Sequence, residues 1–307
     1  MIALLSVIGP VFALIVMGRL AVLYHWVDEG GLRGLNDFAF YAALPALLFG
    51  SVAEAPSFDV LELGSVYFGA CLIVYAVAMV MARFVLGADF ASAGMIGLNA
   101  AYGNTVMMGI PIIAASFGDA ALSSLLGIIA LHSVLLLPLA TVLIEAGSAG
   151  RSGLRRTLRA TARGLGRNPI IIAIMVALLW RGFAVPVPRV LHGFLLMLGQ
   201  AGPPIALFCL GASLPGFVGN RILKEALLAS LLKLVVLPAL VWSLAMWAGL
   251  SGQPVAVAVV TAGMPTGANA FLLARRAGKL IEASAGTVVV ATAMSVFTLF
   301  GLLVWAR

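Results

Sequence analysis

Apolar segments of about 20 residues, each long enough to cross a ~30 Å hydrocarbon core, recur along the whole sequence. They fall near 2–23, 35–52, 63–85, 91–117, 120–144, 169–185, 190–214, 222–248, 254–273 and 281–305. Short polar connections such as Asp28-Glu29-Gly30-Gly31 and Gly249-Leu250-Ser251-Gly252 separate them, and these are places where backbone can leave a membrane. In lipid a segment must satisfy its own backbone polar groups, so each apolar run reads as a helix. The expectation is an all-α membrane protein with ten transmembrane helices. Composition agrees: 63% of residues are hydrophobic and only 9% charged, where a soluble domain carries about 25% charged residues. No stretch is long and polar enough to form a separate soluble domain.

A net charge of +7 raises nucleic-acid binding as a function, but the basic residues are confined to short connections. Arg151, Arg155, Arg156, Arg159, Arg163 and Arg167 share the central loop 145–168. With ten spans, that side of the membrane also collects Arg19, Arg33, Arg83, Arg221, Lys224, Arg275, Arg276 and Lys279. The other side has only Arg181, Arg189 and Arg307. Such a bias marks the richer side as cytoplasmic and turns both termini outward, to the periplasm of a bacterial inner membrane. The first segment has no charged leader and no cleavage pattern, so it reads as a retained helix and not a signal peptide. Cys71 and Cys209 lie in apolar spans of different halves, with no metal-ligand spacing, and no cofactor is expected.

The two halves repeat. Pro10 and Pro45 are 35 residues apart, as are Pro169 and Pro204, and the offset between the pairs is 159. Gly109-Ile110-Pro111 in the fourth span answers to Gly263-Met264-Pro265 in the ninth, at an offset of 154. Five spans per copy is an odd number, so residues 169–307 must be an inverted copy of residues 1–144, the plan of many secondary transporters.

Both the fourth and ninth spans carry helix breakers near their centres: Tyr102-Gly103-Asn104-Thr105 followed by Gly109-Ile110-Pro111, and Pro265-Thr266-Gly267-Ala268-Asn269. A proline kink packed on small residues would explain either alone. Matched positions in both halves point instead to two broken helices that cross at mid-membrane and line a transport site. The N-terminal end of a half-helix carries about half a positive charge and binds carboxylates. Asn104 and Asn269 add side-chain amides that can donate to a carboxylate, with Asn99 and Thr105 as further contacts. Gly109, Pro111, Pro265 and Gly267, which form the breaks, complete the candidate substrate-binding set.

Two ionisable groups lie deep. Lys233, about eleven residues into the eighth span, is roughly 16 Å from its start. There it is either a snorkelling side chain or a fixed charge that neutralises half-helix carbonyl ends or draws in an anion. His132, in the fifth span, reads as an interhelical hydrogen bond or a proton carrier. Asp37, only a couple of residues inside the second span, reaches water, and no other carboxylate lies deep in a span, which argues against a cation exchanger; no His-Glu-x-x-His or Gly-x-Ser-x-Gly pattern marks an enzyme. A sodium-coupled solute carrier and a non-transporting receptor are the alternatives; a receptor would not need two matched breaks.

The sequence resembles the auxin efflux carrier family, relatives of the plant PIN proteins, over essentially its full length. The likeness rests on the run from Leu35 to Phe49, on Asn104 with Gly109-Ile110-Pro111, on Gly199 to Pro204, on Leu207 to Gly211, and on Pro265 to Asn269. It implies a fold like that of sodium/proton antiporters and bile-acid symporters, with helices four and nine crossing. It also implies a scaffold of helices 1, 2, 6 and 7, through which a homodimer could form, and an elevator-type transport domain from helices 3, 4, 5, 8, 9 and 10. The implied cargo is a small carboxylate: malate, malonate, lactate or an auxin-like acid.

The topology can be tested directly. Cysteines introduced into 145–168 should react with a membrane-impermeant thiol reagent only from the cytoplasmic side. Labelling of intact cells from the periplasm would reverse the orientation.

Overall fold

A computed structural model describes residues 2–54, 60–118, 121–148, 167, 169–183, 185–212 and 220–306. Most of the predicted basic loop 145–168 lies outside the described residues. Among the described residues the regular structure is entirely helical. The helices are α1 (Ile2–Leu23), α2 (Glu29–Phe38), α3 (Leu44–Ala53), α4 (Ser65–Phe84), α5 (Phe90–Ala101), α6 (Ile110–Phe117) and α7 (Leu122–Ser148). There follow α8 (Pro169–Gly182), α9 (Arg189–Ala212), α10 (Asn220–Leu231), α11 (Leu237–Trp247), α12 (Gln253–Ala262), α13 (Ala268–Ala277) and α14 (Ile281–Trp305). Every predicted span coincides with one of these helices or with a pair of them in line. Five are long and apolar enough to cross a membrane by length and composition: Glu62–Phe84, Ser124–Gly147, Arg189–Ala212, Asn220–Trp247 and Ile281–Trp305.

Prolines stand just after three of the four π-helical turns among the described residues; the fourth, Val60–Gly64, leads into α4, whose first turn has none. Short π-helical turns, Ala39–Ala43, Thr105–Gly109 and Leu232–Val236, lead directly into α3, α6 and α11. Each of those helices has proline as its second residue: Pro45, Pro111 and Pro238. Proline lacks an N–H and its ring crowds the carbonyl four residues back. A π turn shifts the preceding carbonyls out of register and lets the rod continue. Capping fixes other ends. Asp28 Oδ1 accepts from Gly31 N–H at 2.7 Å to start α2. Asp89 accepts from the Ser92 N–H at 3.0 Å and the Ser92 hydroxyl at 2.9 Å to start α5, and lies 3.5 Å from Lys279 Nζ beyond α13. Slight burial pushes its carboxyl up, but the Ser92 hydrogen bonds and the Lys279 ammonium together hold it below the ordinary carboxylate value.

The helices pack in two groups. In one, α1 lies against α9, and α3 lies against both α8 and α9. In the other, α4 packs on α5, α5 on α7, α10 on α14, and α11 on α4 and α12. Fewer contacts join the groups, chiefly α3 to α7, α9 to α13, and α1 to α6 and α14.

Glycine sets the closeness of the first group. A Cβ on Gly18 of α1 would strike the Phe208 carbonyl oxygen of α9, and one on Gly211 of α9 would strike the Ile15 carbonyl oxygen of α1. The two backbones therefore touch at reciprocal points, as small residues allow between membrane helices. Gly211→Ala and Gly18→Ala should each lower the melting temperature in detergent, overpacking of this kind costing about 1–3 kcal/mol. Gly193→Ala, on the same helix α9 with open space around it, should leave melting unchanged or raise it.

Candidate functional site

α5 and α12 stop in the interior of the bundle, and the chain resumes as the 105–109 turn with α6 and as α13. The two gaps are extended and lie antiparallel, with Gly103 opposite Thr266. Asn104 N–H donates to Pro265 O at 2.7 Å, and Gly267 N–H donates to Tyr102 O at 3.1 Å. Backbone groups freed by the breaks thus satisfy one another in the buried interior. Gly267 is required for the approach, since a Cβ there would lie 3.0 Å from Gly103 O.

Side chains take up what the pairing leaves. In a continuous α5 the carbonyl of Asn99 would bond the N–H of Gly103; instead it accepts from the hydroxyl of Thr266 at 2.7 Å. The carbonyl of Ala262, at the end of α12, is likewise freed, and the ammonium of Lys233 donates to it. Lys233 is completely buried, and a Cβ on Gly103 would lie 3.3 Å from its Nζ. The cation therefore sits at the carbonyl ends of α5 and α12, where a helix dipole favours positive charge. Of the roles open to Lys233 from sequence, this geometry matches neutralisation of carbonyl ends. Snorkelling does not occur.

The opposite, N-terminal ends begin at Thr105 and Ala268. Asn104 and Thr105 are buried, and Asn104 Nδ2 has no hydrogen-bond partner among the described residues. Its two N–H groups are thus available to an incoming acceptor beside a half-helix N-terminus. Asn269 is half-buried and donates through Nδ2 to the Tyr102 hydroxyl at 3.2 Å. Asn99 turns away from the gap and donates through Nδ2 to Ser284 Oγ of α14 at 3.0 Å. Gly109 packs against Leu125 of α7, and Pro111 lies in the first turn of α6. The structure therefore gathers Asn104, Thr105, Pro265, Gly267 and Asn269 at one crossing. It places Asn99 and Gly109 about one turn outside it and Pro111 nearly two.

His132 is buried, with Nε2 3.5 Å from the Ala101 carbonyl oxygen at the end of α5. The rings of Tyr67, Phe68 and Tyr102 meet it edge-on at 5.4, 5.5 and 5.3 Å. Tyr102, Thr266 and Ser284 were not among the residues picked out from sequence. Tyr102 stands inside the fourth-span motif, but the partners of Thr266 and Ser284 are far away along the chain and no local pattern announces them.

A cavity of about 320 Å³ approaches the crossing between α3, α7, α9 and the start of α6. Val106 and Ile110 form its inner wall, and Gln200 is among its polar lining. At its mouth His192 Nδ1 meets Glu54 Oε1 at 2.7 Å.

Paired helix breaks inside an apolar bundle, with positive helix ends and a buried amide at the crossing that has no partner among the described residues, fit a multi-pass membrane protein of the transporter class. The chain belongs to the membrane transport protein family, that of the auxin efflux carriers, whose family model matches residues 3–303. It is 30% identical to a protein of Rhizobium meliloti (strain 1021) named "Putative malonate transporter", over 97% of this chain and 94% of that protein. It is 24% identical to an uncharacterized transporter of Methanocaldococcus jannaschii, over 98% of this chain and 96% of that one.

Lys233→Met should leave the Ala262 carbonyl without a donor, at a cost of about 1–3 kcal/mol. Its melting temperature in detergent should fall. Unchanged melting would show that the ammonium does not hold the crossing together.

Proposed function

We propose that the protein is a secondary transporter of small organic anions, with malonate and similar carboxylates as its cargo. The observation that carries this reading is the unpartnered, buried amide of Asn104 at the positive start of the second half of a broken helix. A carboxylate suits that place because it accepts several charge-assisted hydrogen bonds at once. The cavity lined by nearby Val106, about 320 Å³, is at the small end of ligand sites. The name borne by the Rhizobium meliloti relative is consistent with this cargo.

The architecture we infer is ten spans in two inverted five-helix repeats, 1–144 and 169–307, joined by a cytoplasmic loop. Two facts support it: the recurring proline offsets of the sequence, and the pairing of equivalent breaks across the two halves. In this reading α1, α2, α3, α8 and α9 form the scaffold, and the remaining helices move past it as an elevator, giving the site access to each side in turn. Support comes from the division of packing into two groups with sparser contacts between them. The protein resides in the bacterial inner membrane with both termini periplasmic, and a homodimer forms through the scaffold.

Purified protein in proteoliposomes should take up labelled malonate. Asn104→Ala and Asn269→Ala should each weaken uptake by more than about tenfold, the effect of losing a hydrogen bond to a charged group, while still inserting and melting like the parent. Parent-like uptake by both variants would move the site away from the crossing. Uptake that requires sodium would favour the sodium-coupled alternative.

A further inference from the structure

A second cavity, also of about 320 Å³, plays no part in the reading above. Glu145, near the end of α7, lines it, whereas Leu126, near the start of α7, lines the first cavity. Nineteen residues of helix separate them, about 29 Å at 1.5 Å per residue, so the two cavities open at opposite ends of the bundle. The walls of the second come from both packing groups: Phe40 and Pro169 from one, Thr141, Leu273 and Arg276 from the other.

Its chemistry is that of an anion site. Arg167 and Arg276 line it against the single carboxylate Glu145. The guanidinium of Arg276 lies over the ring of Tyr41, 4.9 Å from its centroid, and 5.6 Å from that of Phe40. It makes no hydrogen bond or ion pair with the described residues. Stacking on aromatic faces fixes the plane of a guanidinium and leaves its N–H edges unengaged. Those edges match the two oxygens of a carboxylate. Arg275 beside it and Lys279, paired with Asp89, add positive potential at the same end, which draws anions from water.

We propose that Arg276, assisted by Arg167, forms a second carboxylate site at this end of the protein, a station between the adjoining water and the crossing. The inference rests on the carboxylate-transport reading and extends it to a place outside the broken helices. It gives the two faces different recognition: an arginine fork here, and the Glu54–His192 pair at the other mouth.

Two measurements test it. In inside-out and right-side-out vesicles, Arg276→Gln should raise the malonate concentration for half-maximal uptake about tenfold or more from the face that carries Arg276. From the other face the change should be small, and Arg276→Lys should recover part of the loss. Separately, malonate should protect Arg276 of the purified protein from phenylglyoxal, read by mass spectrometry of its peptide. An equal effect from both faces, or transport without protection, overturns the site. An effect of Arg276→Gln seen only in liposomes containing anionic lipid assigns the guanidinium to a lipid phosphate and overturns it as well. Protection without transport in either direction would keep the site and overturn the transport reading instead.

Discussion

The structure depends on two hydrogen bonds between stretches of backbone that are not helical. Asn104 to Pro265 and Gly267 to Tyr102 join the gaps of two broken helices in the part of the bundle least able to tolerate free peptide groups. An interrupted helix in an apolar setting leaves donors and acceptors that cost several kcal/mol each. Two interruptions placed face to face cancel much of that cost, which neither could do alone. The breaks therefore depend on each other, and so do the halves of the sequence that carry them.

What the pairing does not cover explains the polar residues around it. Carbonyl ends attract donors: the hydroxyl of Thr266 goes to Asn99, and the ammonium of Lys233 to Ala262. At the start of one outgoing half-helix the side-chain amide of Asn104 has no such partner among the described residues. Positive helix ends on one side of the crossing and neutralised carbonyl ends on the other give the centre a direction, and its receptive side is the one suited to anions. Lys233 serves that asymmetry from behind, by compensating the carbonyl ends on the far side of the crossing.

Hydropathy made the helices legible, and the clusters of Gly, Pro and Asn made the two breaks legible, because each is a local property of the chain. The tie between Asn99 and Ser284 spans 185 residues and that between Glu54 and His192 spans 138, so neither has a signature in sequence. The π turns were hidden for a different reason. Pro45, Pro111 and Pro238 announce a disturbed ladder, but the repair is made by carbonyls, which all residues share. Likewise Arg276 read as one more topological charge, since nothing adjacent in sequence shows that its guanidinium lies over Tyr41.

The interlocked glycines of α1 and α9 have a mechanical consequence. Where Gly18 receives Phe208 and Gly211 receives Ile15, each backbone is seated in a notch of the other. Sliding by a fraction of a helical turn would lift both out of their notches and drive neighbouring side chains into main chain, which close-packed interiors resist. That seam has no slip plane. The boundaries between the two packing groups, such as α3 on α7, are made by fewer contacts and present a surface along which shear is cheaper. Stiffness along this seam is thus set by residue size: two glycines fix α1 against α9.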